Sequence, residues 1–250
     1  MSGVLSGVLC VSGTGTEVGK TVTTAALAAV AARAGRSVAV LKPAQTGVAP
    51  GEPGDVDEVV RLAGDAVTGV ELARYPEPLA PGTAAARAGL APVRPDQVAD
   101  TAAKLAASHD LVLVEGAGGL LVRFDEEGAT LADAAALLGA PVLVVAAAGL
   151  GTLNSVQLTG EALRARGLRQ AGVVIGSWPQ APGLAERCNV ADLPVVADAE
   201  LLGAVPEGAG ALRPEVFRER AGGWLGPGLG GVWDGAAFGQ AAGGRAGRAA

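Results

Sequence analysis

The chain has 250 residues, half of them apolar, with a net charge of −6 and a pI near 4.9. That length suits one domain, or one domain with a tail, and with only 3% aromatic residues the core must be mostly aliphatic. The acidic balance argues against nucleic acid as a partner, so any phosphate binding has to be local to a site.

The first apolar run, Val8 to Val11, predicts a buried strand, and residues 22–33 predict an Ala-rich helix. Between them lies GTGTEVGKT, residues 13–21. Strand, glycine-rich turn, Gly-Lys-Thr and helix are the setting of a phosphate-binding loop. Its glycines let the backbone approach an anion, and the helix N–H groups favour one. Lys20 can reach β- and γ-phosphates, and the Thr21 hydroxyl can ligate Mg²⁺. The spacing departs from GxxxxGK(S/T): position 14 is Thr14, and the glycine stands one residue earlier, at Gly13.

A second strand is expected from Ser37 to Leu41, leading into Lys42-Pro43-Ala44-Gln45-Thr46-Gly47. Pro43 and Gly47 should stop regular structure there. That leaves Lys42 and Thr46 where a strand opens into a loop, the place parallel α/β sheets put ligands. Taken alone, Lys42 reads more simply as a surface lysine. Residues 48–57 read as a loop, and Asp55, Asp57 and Glu58 open a short helix through Leu62, where acids serve first as caps. Prolines at 76, 78, 81 and 92 make residues 70–92 a long loop. A helix follows from about Pro95 to Ser108, and His109, the only histidine, excludes a histidine-clustered metal site.

Leu111 to Val114 is an unbroken apolar run, as in a strand covered on both faces, and it ends in Glu115-Gly116-Ala117-Gly118-Gly119. A carboxylate at such a tip is where phosphate-loop enzymes place the residue serving Mg²⁺. Thr130 starts a helix through Leu138, and Pro141 to Ala147 is the next strand. Residues 149–154 then open a helix to Arg166, a second candidate anion site at a helix start. A routine turn capped by Thr152 or Asn154 is the equal alternative. Ala171–Ile175 and Leu201–Val205 read as strands. The loop after the first, Gly176-Ser177-Trp178-Pro179, could hold a nucleotide base through backbone groups. Pro214 to Arg220 is a last short helix. From Gly222 to Ala250 the composition turns to Gly and Ala, which predicts a flexible tail beside a main domain of residues 1–221, with Trp224 and Trp233 able to dock locally.

The alternation of elements predicts an α/β fold of the phosphate-loop NTPase kind: a mostly parallel central sheet with helices on both faces. Cys10 and Cys188 form no framework and read as reduced thiols of a cytoplasmic protein. The N-terminus lacks the basic start of a signal peptide. The longest apolar run, Ala134 to Leu150, is broken by Gly139 and Pro141, so no membrane span is expected.

Four stretches in order, GTGTEVGKT, KPAQTG at 42–47, VEGAGGLL at 114–121 and LGTLN at 150–154, resemble dethiobiotin synthetase. This is the ATP-dependent carboxylase that closes the ureido ring in biotin synthesis. The likeness runs from about residue 6 to 215. It implies that Glu17, Val18, Gly19, Lys20, Thr21 and Val22 wrap the ATP phosphates and that Thr21, Asp55 and Glu115 hold Mg²⁺, with Asp57 the nearby alternative to Asp55. Lys42 would be the catalytic lysine, beside a substrate carbamate and the γ-phosphate, with Lys20 assisting. Thr46 would contact the diamine, 7,8-diaminononanoate. Gly116, Ala117 and Gly118 would border the nucleotide, and Gly118 would also line the substrate pocket. Gly176-Ser177 and Pro206-Glu207-Gly208 would border the adenine, although many relatives carry Asn-Asp where this chain has Gly-Ser. Gly151, Thr152, Leu153 and Asn154 would receive the substrate carboxylate from the neighbouring subunit of a homodimer. A partition or positioning ATPase of related fold would instead carry a lysine early in the loop, where this chain has Gly15. A dinucleotide-binding module would need GxGxxG and an acid after the second strand, which ends in Lys42.

Overall fold

The computed structural model describes residues 6–244. Its strands are β1 (Gly7–Gly13), β2 (Val38–Thr46), β3 (Val67–Tyr75), β4 (Leu111–Gly119), β5 (Val142–Ala147), β6 (Gln170–Trp178) and β7 (Leu201–Pro206). Its helices are α1 (Lys20–Arg33), α2 (Asp55–Ala63), α3 (Pro81–Ala88), α4 (Pro95–Ala106), α5 (Leu131–Leu138), α6 (Thr152–Ala165), α7 (Leu184–Ala197), α8 (Pro214–Arg220) and α9 (Gly235–Gly244). Among the described residues the strands form one sheet in the order β3-β2-β4-β1-β5-β6-β7, with every neighbouring pair parallel.

Two apolar cores lie on the two faces of this sheet. One is built with α1, α2 and α8, the other with α3 to α7 and α9. The central strands need both: Leu9, Val11, Leu111 to Val114 and Val142 to Val145 are fully buried. This is why they read as continuous apolar runs. Helix α1 is apolar nearly all round because it lies under the sheet with α2 and the C-terminal segment packed against it. The order β2-β4-β1 places the tips of three strands side by side: Lys42, Glu115 and the loop after Gly13.

Strands β2 and β3 and helices α3 and α7 differ from the sequence expectation. Strand β2 runs on to Thr46, past the proline expected to stop it. Its pairing with β4 ends at Leu41, and its register with β3 pairs Lys42 and Ala44 but passes over Pro43, so a proline is tolerated there. Strand β3 and helix α3 replace most of the loop expected over 70–92. β3 is an edge strand, half-buried along its middle and carrying a Glu71–Arg74 ion pair at 2.7 Å. Its partly wet faces produce neither an apolar run nor a clean alternation. Helix α7 has no counterpart in the sequence reading. Only Asn189, Val190, Leu193 and Ala197 are buried, and Pro194 lies inside it.

The expected flexible tail is also corrected. Residues 224–226 run antiparallel beside the free edge of β7: the Ala204 N–H donates to the Trp224 carbonyl at 3.0 Å, and the Gly226 N–H to the Leu202 carbonyl at 2.7 Å. Leu225 and Leu229 are fully buried, Trp224 and Trp233 nearly so. The glycines that look like low complexity permit this packing. A Cβ on Gly203 would stand 2.5 Å from the Trp224 carbonyl oxygen, and one on Gly231 would stand 2.0 Å from that of Leu225. Residues 245–250 of that expectation lie outside the described residues. Leu225→Ala is expected to cost about 2–5 kcal/mol in urea unfolding. A loss below about 0.5 kcal/mol would mean that the segment does not pack in solution.

Candidate active site

The loop after β1 passes into α1 through Gly19, at φ 92 in the left-handed region that favours glycine. A Cβ there would stand 2.2 Å from the Gly176 carbonyl oxygen. The reverse holds too: a Cβ on Gly176 would stand 2.1 Å from the Val18 carbonyl oxygen. Backbone therefore lies on backbone where the tip of β6 supports the loop. Glu17, at φ 59, holds a left-handed conformation that side chains rarely adopt. The first turn of α1 carries no acid, so its N–H groups and dipole are free of a competing carboxylate. Lys20 folds back along the loop and donates to the Gly15 carbonyl at 2.9 Å. Burial lowers its pKa, and the neighbouring Lys42 charge lowers it further.

Lys42 and Glu115 come from adjacent strands and are 3% and 1% exposed. The Lys42 ammonium donates to Glu115 Oε1 at 2.9 Å and to the Gly116 carbonyl at 3.2 Å, and it lies 2.5 Å from Asp55 Oδ2. Burial works against that charge, but Glu115 and Asp55 outweigh it and hold the ammonium above its ordinary range. Thr21 donates its hydroxyl to Glu115 Oε1 at 3.1 Å. Asp55 is placed by the start of α2, whose Asp55 N–H donates to Gln45 Oε1 at 2.8 Å. Capping falls to Asp57, which accepts the Gly54 N–H at 2.7 Å and is 58% exposed. Asp55 thus faces the site, whereas Asp57 serves the helix.

These groups border a cavity of about 400 Å³. Glu17, Gly19, Lys20, Thr21, Val22, Lys42, Thr46, Asp55, Ala117 and Gly118 all line it. Glu115 and Gly116 lie just beneath, through their contacts with Thr21 and Lys42. Val18 turns toward Gly176 instead. Three lining residues, Thr16, Ala44 and Gln45, the last accepting the Asp55 N–H, were not singled out from sequence.

Ser177, Pro206, Glu207 and Gly208 are exposed and lie outside this cavity. They are tied together, since the Glu207 N–H donates to the Trp178 carbonyl at 2.7 Å. The start of α6 is also outside it. Gly151 and Asn154 are exposed and Leu153 is half-buried, while Thr152 is buried with its hydroxyl on the Ala147 carbonyl at 2.7 Å.

Mg²⁺ suits the oxygen donors gathered here. Glu115 Oε2 is buried and accepts no hydrogen bond, beside the Thr21 hydroxyl and the Asp55 carboxylate. Among the described residues no three His, Cys, Asp or Glu side chains form a cage. One hydroxyl and two carboxylates are oxygen donors of the kind a cation that also keeps waters and phosphate oxygens among its ligands would take.

A sequence-family model described as an AAA domain matches residues 8–214. The ATP-dependent dethiobiotin synthetase BioD of Streptomyces avermitilis is 71% identical over 234 residues, covering 94% of this chain and 98% of that protein. Its counterpart from Streptomyces coelicolor is 67% identical over 233 residues, covering 93% and 98%. Among solved structures, the MinD cell division protein of Aquifex aeolicus superposes with a TM-score of 0.54 at 15% identity, covering 86% of this chain and 87% of that one. At that identity the likeness shows the phosphate-loop NTPase fold alone. The near-full-length relatives carry the rest: the chain belongs to the ATP-dependent dethiobiotin synthetases, ATP-dependent cyclising ligases of biotin synthesis.

Proposed function

We propose that the enzyme joins 7,8-diaminononanoate, CO₂ and ATP through a carbamate and a carbamic–phosphoric anhydride. One amine adds to CO₂ and loses a proton, forming the carbamate. A carbamate oxygen attacks the γ-phosphorus and ADP leaves. The second amine attacks the carbamate carbon, loses a proton, closes the ring and expels phosphate. Charge spreads over oxygens throughout, and no step needs a protein nucleophile.

The observation that carries this reading is Lys42, a buried ammonium held charged at the floor of the loop cavity. Fixed positive charge in a dry site stabilises developing anionic oxygen far more than it would in water. Lys20 would serve the β- and γ-phosphates, Lys42 the carbamate and the transferring phosphoryl group, and Thr46 the diamine. Thr21, Asp55 and Glu115 would hold Mg²⁺, which when bound supplies positive charge over the phosphate oxygens. Cys10 is no rival nucleophile, since burial pushes its thiol up to about 12. The base would lie against Gly176-Ser177 and Pro206 to Gly208. With no side chain on Gly176, backbone groups would read it, which favours a looser choice of nucleotide.

The substrate carboxylate would meet the α6 start, Gly151 to Asn154, of a second copy in a homodimer. Two features support this. That helix start lies outside this chain's own cavity. Around it Leu150, Leu158 and Leu121 are 91%, 57% and 44% exposed. No described helix is long and apolar enough to cross a membrane, and the free thiols favour a reducing, cytoplasmic setting.

Phosphate release measured with ATP alone, and then with diamine and bicarbonate added singly and together, tests the reaction. Release is expected only with both. Comparable release from ATP alone would instead make the protein an uncoupled switch-type ATPase.

A further inference from the structure

The chain has three Phe and three Trp, and two Trp and one Phe of that small set meet at one place. Phe238 of α9 stands edge-on to Trp178 with ring centroids 4.9 Å apart, and 5.2 Å from Trp233. Trp178 is the last residue of β6, directly after Gly176 and Ser177. The tip of β6 needs such an anchor because it leaves the regular ladder. On the β7 side, pairing is irregular between Ile175, opposite Ala204, and Trp178, opposite Pro206. On the β5 side it shifts between Ala146 and Ala147, which pairs with Ser177. Backbone pairing alone leaves the tip loosely specified, so side-chain packing has to set it.

The tip is coupled in two further directions. Its Trp178 carbonyl accepts the Glu207 N–H at 2.7 Å, which ties it to the 206–208 turn. Its Gly176 lies against the Val18 and Gly19 backbone with no room for a Cβ. Helix α9 is itself held in place. Asp234 Oδ1 accepts the Ala236 and Ala237 N–H groups at 2.9 and 3.1 Å, and Trp233, 8% exposed, donates its backbone N–H to the Leu225 carbonyl at 2.9 Å.

We propose that α9 is a positioning element for the nucleotide base, with Phe238 acting through Trp178 to hold the 176–178 tip and the 206–208 turn as one wall. This rests on the reading that the base lies between those two loops. It gives the C-terminal segment a role in binding that is separate from the phosphate cradle. Phe238 and Trp178 are positioning residues that act through the backbone in front of them.

The test compares the full chain with Phe238→Ala and Phe238→Leu by titration calorimetry, using ATP and ribose 5-triphosphate, which lacks only the base. Phe238→Ala removes both ring contacts, and losing the one to Trp178 should weaken ATP about three- to tenfold. Ribose 5-triphosphate binding should stay the same, as should kcat at saturating ATP, so the loss falls on the KM for ATP. Phe238→Leu keeps the apolar volume and should lie between. It carries the test if the alanine variant melts below the assay temperature. Equal weakening of both ligands, or no weakening of ATP, overturns the positioning role. If the unaltered chain binds both ligands equally, the base reading fails first and the proposal fails with it. If the unaltered chain discriminates and the variants discriminate as well, only the role of α9 falls.

Discussion

Lys42→Ala should lower turnover by about 10²–10³-fold while ATP binding stays within a few-fold. The lysine is nearly buried, and its ammonium is fixed by Glu115, Asp55 and the Gly116 carbonyl rather than by the loop backbone. The phosphates would be held by the loop N–H groups and Lys20, which this change leaves in place. A second consequence follows from burial. Without its cation, Glu115 is a carboxylate 1% exposed facing Asp55, and breaking such a buried pair costs about 3–5 kcal/mol of stability. Turnover must therefore be expressed per folded molecule, with a melting curve beside each assay. Unchanged turnover would remove Lys42 from the reaction. A loss of ATP affinity as large as the loss of turnover would make it part of the phosphate cradle instead.

Asp55 and Asp57 offer a paired comparison with opposite outcomes. Asp55→Asn keeps the shape but removes one of the two carboxylates that face Lys42. Turnover is expected to fall by at least about 10–100-fold, the loss seen when even outer partners of a metal are removed, and the Mg²⁺ concentration for half-maximal rate should rise. Asp57→Asn touches the exposed capping contact to Gly54 and a long, solvent-screened ion pair with Arg74 at 3.8 Å, so it should cost about 1 kcal/mol of stability and leave turnover unchanged. Magnesium titrations of the steady-state rate separate the two. The reverse pattern would assign the metal to Asp57.

What could be read from the sequence was what local chemistry marks. The glycines and Gly-Lys-Thr of the first loop sit between a strand and a helix. The apolar run of β4 ends in a carboxylate, and Pro214 to Arg220 forms α8 as expected. What could not be read depends on which strands become neighbours. Lys42, Asp55 and Glu115 converge because β4 inserts between β1 and β2, an order that no local pattern encodes. Taken alone, Lys42 read as a surface lysine, yet it is 3% exposed. Gln45 stayed unremarked because its task, accepting the Asp55 N–H, arises only once α2 folds back on β2. The edge strand β3 and helix α7 lacked a clean period because each is only partly buried. For residues 222–244 composition misled. Gly and Ala signalled a tail, but the fold uses their smallness for close backbone contact.

The strip at 224–226 also bears on how these molecules behave in company. A sheet edge with unpaired N–H and C=O groups is a template on which another chain can add a strand, and aggregation starts that way. Here the β7 edge is filled from within by the chain's own backbone. The opposite edge, β3, carries Glu71 and Arg74, charges that discourage strand addition. A shortened chain ending near residue 221 would therefore not be a minimal enzyme. It would be a protein with one raw edge, prone to precipitate before its catalysis could be measured.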